Sequence, residues 1–279
     1  MAWRKVVFVV STILIVAALI PRSDKPTYGI SNIAKTKSLG LSTADEISVL
    51  MTGDSQSFTL GEGFVPLLDI PNMNINISAI MGCGVVHGRP VINGNVHPMN
   101  FEHCNAWEQT WREGMDAHHP DVVIVLIGAW EILDRIIDNK TYRVGTEEYD
   151  SYVKSQLTKA FDLVTAGGTP VVLLSTPCYQ ETEDSLGGLY GDRNHQGRIE
   201  WFNKLSLEVV KNYGELITRL DLGNFLCPNG IIDEDINGIN PRPDGVHFSK
   251  EGAGEIWNWL IPQVLEIVAK DRNSKTSSY

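Results

Sequence analysis

Residues 121–127 read Asp-Val-Val-Ile-Val-Leu-Ile, an unbroken apolar run after one acid. A run this short and this uniform leaves no polar face for solvent. It fits a strand buried on both sides, the place of a central strand in a parallel sheet. Related runs lie at 47–51 and 170–175, with an alternating segment at 73–80 and a shorter one at 216–220. Between them fall helix-like stretches at 58–70, 101–118, 146–166 and 195–213, and a last one at 250–270 follows the fifth strand. Strands that alternate with helices imply βαβ crossovers. The expectation is a flavodoxin-like three-layer α/β/α sandwich with a five-stranded parallel sheet.

The flanks divide the chain further. Residues 6–20 are uncharged and apolar, and Arg4-Lys5 precede them. Residues 1–22 therefore read as a membrane segment, a signal anchor rather than a cleaved signal peptide, because no small-x-small site follows. Residues 23–44 are polar and form a linker, 45–270 the folded domain, and 271–279 a polar tail. Such a chain is tethered to a membrane with its domain outside the cytoplasm. Four cysteines, Cys83, Cys104, Cys178 and Cys227, agree with an oxidising compartment. They allow three pairings, and the sequence-local pairing, Cys83–Cys104 with Cys178–Cys227, fits the strand order. Each bridge stabilises by roughly 3–4 kcal/mol in the chain-entropy view.

Charge excludes one class of partner. Lys and Arg total 23, Asp and Glu 34, for a net charge of −11. With no basic run, the chain is not built for nucleic acid. Gly82-Cys83-Gly84 does not continue into a dinucleotide fingerprint, and no phosphate-binding Gly-Lys-Ser/Thr is present. The histidines at 87, 97, 103, 118 and 119 lack ligand spacing and are expected at the surface, so no metal is implied.

The chemistry gathers at strand ends. Gly53-Asp54-Ser55 follows the first strand, Gly82 the second, and Gly128-Ala129-Trp130-Glu131 the third. Asp244-Gly245-Val246-His247 precedes the last helix. In a parallel sheet these carboxyl ends share one edge. A serine hydroxyl is a weak nucleophile until an imidazole takes its proton, and a carboxylate must orient that imidazole. Ser55, His247 and Asp244 supply the three groups. The backbone N–H groups of Ser55 and Gly82 (or Cys83) are placed to hold an oxyanion. Gln56, Cys83 and Glu131 are expected to line the substrate pocket, and Glu131 and Arg135 to form an ion pair. The plainest alternative makes Ser55 only a helix N-cap.

These blocks, in this order, resemble the SGNH (GDSL-like) hydrolase superfamily over about residues 48–265. Gly-Cys-Gly after strand two, Gly-Ala-Trp-Glu after strand three, Thr-Pro-Cys-Tyr after strand four and Arg-Pro-Asp-Gly-Val-His near the end are more similar to the SGNH domains that accompany membrane acyltransferase-3 proteins. The resemblance implies an esterase or acyltransferase acting on acyl, chiefly acetyl, groups of cell-surface or secreted polysaccharide, without cofactor. It also implies an acylated glycan as substrate and a membrane acyltransferase-3 protein as partner. In the wider superfamily an asparagine of the third block is a further oxyanion donor. Trp130 stands there, either donating its indole N–H or walling the pocket. Two alternatives stay open: a non-catalytic glycan-binding module, and a lipase- or thioesterase-type hydrolase.

Overall fold

A computed structural model describes residues 39–67, 71–98, 100–182 and 190–276. The membrane segment expected at 1–22 lies outside them. Among the described residues no helix is long and apolar enough to cross a membrane.

The main sheet holds β1 (Glu46–Gly53), β2 (Asn72–Ala79), β5 (Val122–Leu126), β8 (Val171–Leu174) and β9 (Ile217–Leu220). All neighbours are parallel, in the order β2-β1-β5-β8-β9. The expected fold class is therefore the observed one. Every residue of β5 and β8 is buried, which is what their uniform apolar runs require.

Successive residues of a strand face opposite layers, and β1 shows both. Leu50 approaches Gly114 of α2 (Trp107–His118), while Met51 approaches Gly61 of α1 (Ser55–Glu62). Helix α1 packs against α7 (Lys250–Thr276), where the Trp257 indole N–H donates to Leu60 O at 2.8 Å. Helix α2 packs against α3 (Glu147–Val164), and α3 against α5 (Gln196–Val210).

Several boundaries move. Leu41 is buried in the core, so the domain begins before residue 45. Helix α7 runs on to Thr276 rather than stopping at 270. Helix α1 starts at Ser55, earlier than expected, and ends at Glu62 because Gly63 follows. The largest difference is a second, antiparallel sheet in the order β4-β3-β6-β7. It joins β3 (Arg89–Ile92) and β4 (Asn95–Val96), where the sequence reading places no strand, to β6 (Asp134–Ile137) and β7 (Lys140–Tyr142). Short helices α4 (Tyr190–Arg193) and α6 (Leu222–Leu226) complete the order.

Both disulfides form in the sequence-local pairing, Cys83–Cys104 and Cys178–Cys227.

Candidate active site

Strand β1 ends in Gly53, whose backbone (φ 140°) and crowding explain the residue type. A Cβ there would sit 1.9 Å from the carbonyl oxygen of Leu126 in β5. Asp54 follows as N-cap of α1, with Oδ1 accepting from the Gln56 N–H at 2.8 Å. Ser55 is thus the first helical residue rather than the cap. Its hydroxyl is released from capping and points to the carboxyl edge of the sheet.

There it meets His247. Ser55 Oγ and His247 Nε2 are 2.8 Å apart, and His247 Nδ1 and Asp244 Oδ2 are 2.7 Å apart. With Nδ1 protonated, the imidazole donates to Asp244 and Nε2 accepts from the serine. The loop is tight because Asp244 Oδ1 also accepts the N–H groups of Val246 (2.9 Å) and His247 (2.7 Å). Burial pushes the Asp244 carboxyl up, but the hydrogen bonds from the His247 ring and these two N–H groups outweigh it. The carboxyl is held at about 2, so it stays ionised beside the ring. Gly245 has φ 77° and lies against Gln180, whose N–H donates to Gly245 O at 3.1 Å. The segment after β8 thereby braces this loop.

Two backbone N–H groups stand at the carboxyl ends of β1 and β2. That of Ser55 opens α1 and adds the positive end of its dipole. Gly82 (φ 78°) follows β2; the next N–H, of Cys83, is committed to Ile80 O at 3.2 Å, leaving that of Gly82 without an acceptor among the described residues. A Cβ on Gly82 would lie 3.9 Å from Cζ2 of Trp130. Trp130 is 8 % exposed, and among the described residues its indole N–H has no acceptor. That nitrogen is not one of the sealed, partnerless polar atoms of the interior, so it is open to an incoming group.

Glu131 positions both glycine turns. Its Oε1 accepts from Val85 N–H (2.7 Å) and its Oε2 from Gly128 N–H (2.9 Å). Gly84 has no room for a side chain, because the Glu131 carboxylate would lie 1.8 Å from its Cβ. Burial pushes the Glu131 carboxyl up, while the Arg135 charge and these donors pull it down. The expected ion pair is not a direct contact. Arg135 lies on β6 and donates to Gly88 O (3.0 Å) and Trp130 O (2.7 Å).

The three residues expected to line the pocket do not. Gln56 and Glu131 are completely buried, and Cys83 is sealed in its disulfide. They hold the walls from behind: the Gln56 amide, for instance, donates to the Tyr179 hydroxyl at 3.0 Å. Among the expected surface histidines, His97 is buried against Phe101, and half-buried His87 accepts from the Trp107 indole at 3.2 Å. Cys83, His103 and Cys104 gather within 4.8 Å, but both sulfurs belong to a disulfide and offer no thiolate to a metal.

Sequence reasoning missed Glu181 and Arg193 and gave no role to Tyr179 and Arg242 of the quoted blocks; together they form a buried polar shell around the site. All come from irregular segments or very short helices with no periodicity to flag them. Beside Asp244 opens a cavity of about 160 Å³ lined by Gln180, Thr182, Glu234 and Asn240.

Comparison with known proteins identifies the family of the chain. Solved structures with related folds include the periplasmic domain of a Salmonella ser. Paratyphi A lipopolysaccharide acetyltransferase: 12 % identity, 82 % of this chain and 88 % of that one, TM-score 0.46. Another is a carbohydrate acetylesterase family member from Sinorhizobium meliloti: 16 % identity, 80 % and 99 % coverage, TM-score 0.49. A third is a GDSL-like lipase from Bacteroides thetaiotaomicron: 15 % identity, 78 % and 87 % coverage, TM-score 0.49. A search of curated protein sequences found no match. The family model described as "SGNH domain (fused to AT3 domains)" matches residues 24–256, and the chain belongs to that family.

Proposed function

We propose that the protein is a serine esterase or acyltransferase that acts on O-acyl groups, chiefly O-acetyl groups, of a cell-envelope or secreted polysaccharide. The observation that carries this reading is the hydrogen-bonded run from Ser55 through His247 to Asp244, at 2.8 and 2.7 Å. Ser55 Oγ attacks the acyl carbonyl carbon and passes its proton to His247 Nε2. Asp244 keeps the ring in the required tautomer and stabilises the imidazolium. The N–H groups of Ser55 and Gly82 and the Trp130 indole hold the oxyanion. Collapse releases the sugar oxygen, which takes the proton from His247 and leaves an acyl-serine. Water then completes a hydrolase cycle; a sugar hydroxyl completes a transferase cycle.

Two features support a glycan substrate. The matched family is one whose members are fused to acyltransferase-3 domains, the membrane partner this reading gives the chain. The cavity beside Asp244 presents amide, hydroxyl and carboxylate side chains, groups that hydrogen-bond sugar hydroxyls. The two disulfides support an extracytoplasmic setting, with residues 1–22 as the anchor.

The test is hydrolysis of p-nitrophenyl acetate by the full chain in detergent. Turnover and fluorophosphonate labelling are expected, and both should vanish in Ser55→Ala. A wild-type chain that neither turns over nor labels would leave a binding module instead.

A further inference from the structure

Trp130 packs against a buried arginine, Arg193. The Arg193 side chain is 4 % exposed. Its guanidinium carbon lies 4.9 Å from the centroid of the Trp130 ring. Its Nε–H donates to Ala129 O at 3.2 Å, the carbonyl just before Trp130, and Nη1 donates to Glu181 Oε1 at 2.8 Å. Its Nη2 is sealed and has no partner among the described residues. One peptide unit further on, Arg135 donates to Trp130 O. Two buried arginines therefore hold the backbone on either side of Trp130, and one of them also faces its ring.

We infer that Arg193 is a positioning residue for the oxyanion site: it fixes the Trp130 indole and polarises its N–H toward the developing negative charge. The inference rests on the proposed role of Trp130 as the third donor. Its physical basis is general. A cation over an aromatic face is attracted by the ring's electron density and draws on it, more strongly where water does not screen the pair. An indole depleted in this way is a better hydrogen-bond donor through its nitrogen. The gain is largest in the transition state, where the acceptor carries a full negative charge, so it belongs in kcat rather than KM. Glu181 and the Ala129 carbonyl hold the guanidinium in register with the ring. The site thus answers the loss of a side-chain amide with an aromatic donor and a cation behind it.

A double-mutant cycle tests this. Wild type, Trp130→Phe, Arg193→Met and the double variant are compared on p-nitrophenyl acetate, with kcat and KM separated. Trp130→Phe should lower kcat by about 10²–10³-fold, the usual effect of losing one oxyanion donor. Arg193→Met should lower kcat at least about tenfold with KM nearly unchanged, and in the Trp130→Phe background it should cost little more. If the two losses simply multiply, Arg193 acts elsewhere and the inference falls. If Trp130→Phe leaves kcat intact, it falls together with the donor role of Trp130. If wild type shows neither turnover nor labelling, the esterase reading itself fails. Should Arg193→Met not fold, Arg193→Lys takes its place in the cycle. It loses the planar face and the Nε–H bond to Ala129 O that hold the charge in register with the ring, so a smaller kcat loss that disappears in the Trp130→Phe background supports the inference, and a loss that multiplies with Trp130→Phe, or no loss at all, overturns it.

Discussion

Asp54 shows how much depends on one side chain beside Ser55. It caps α1, is completely buried, and its second oxygen has no partner. Burial, reinforced by the Glu131 charge, pushes its carboxyl up to about 7. The unfolded chain ionises this group near its ordinary value of about 4, so between pH 4 and 7 the folded chain holds the extra proton. The contribution of Asp54 to stability therefore falls as pH rises through that window and levels off above it. Asp54→Asn keeps the capping oxygen and removes the titration. Thermal unfolding of both chains from pH 4 to 8 should show the variant gaining on the wild type as pH rises. A constant difference would mean that Asp54 is ionised throughout. The sequence places Asp54 just after the first strand but could not reveal its burial or its closeness to Glu131, because both depend on which way a turn faces. The same blindness misplaced Gln56, Cys83 and Glu131. Their neighbourhood to Ser55, Gly82 and Trp130 was legible; the side of the wall they occupy was not.

Elements were read best where local pattern and tertiary environment agree. The apolar runs of β1, β5 and β8 are self-explanatory, since a strand covered on both faces has no polar positions. The second sheet was missed because β3 and β4 are short and sit among Gly, Pro and Asn, and the hairpin of β6 and β7 joins them only through β6, which pairs with β3 from more than forty residues away. Long-range pairing leaves no local signature. The disulfide Cys83–Cys104 crosses this same region. It ties the residue after Gly82 to the turn of 3₁₀-helix Glu102–Ala106 that leads into α2. Replacing both cysteines with Ala should destabilise the fold by about 3 kcal/mol. It should also slow fluorophosphonate labelling of Ser55, because the Gly82 N–H loses its anchor. A labelling rate equal to that of wild type, measured well below the melting temperature, would show that the turn holds Gly82 unaided.

Across the whole molecule the two edges of the main sheet carry different tasks. The carboxyl edge gathers Ser55 from the first strand and His247 from the last loop, 192 residues apart in sequence. Both halves of the candidate site are thus joined only by the completed sheet. The amino edge is closed by the last turns of α7. Arg272 donates to Glu46 O (2.9 Å) at the start of β1 and to Asp121 Oδ1 (3.1 Å) just before β5. Asp121 in turn accepts the Ser48 N–H at 2.8 Å. Arg272 falls in the stretch that the sequence presents as a polar tail, since a helix end that meets carbonyls and carboxylates needs no apolar stripe. A chain ended at Lys270 loses the Arg272 tie and leaves Asp121 with one partner fewer. The side chain is partly exposed, so the expected cost is about 1–2 kcal/mol, or a fall in Tm of roughly 2–8 °C for a domain of this size. The carboxyl edge is untouched, so kcat on p-nitrophenyl acetate at 25 °C should stay within about twofold of wild type. Arg272→Ala should give most of the same Tm shift. A truncated chain that melts like wild type would mean that α7 is held by its apolar contacts alone. One that loses activity while remaining folded would mean that the two edges are coupled through β1, and that the strand leading to Ser55 needs both of its ends fixed.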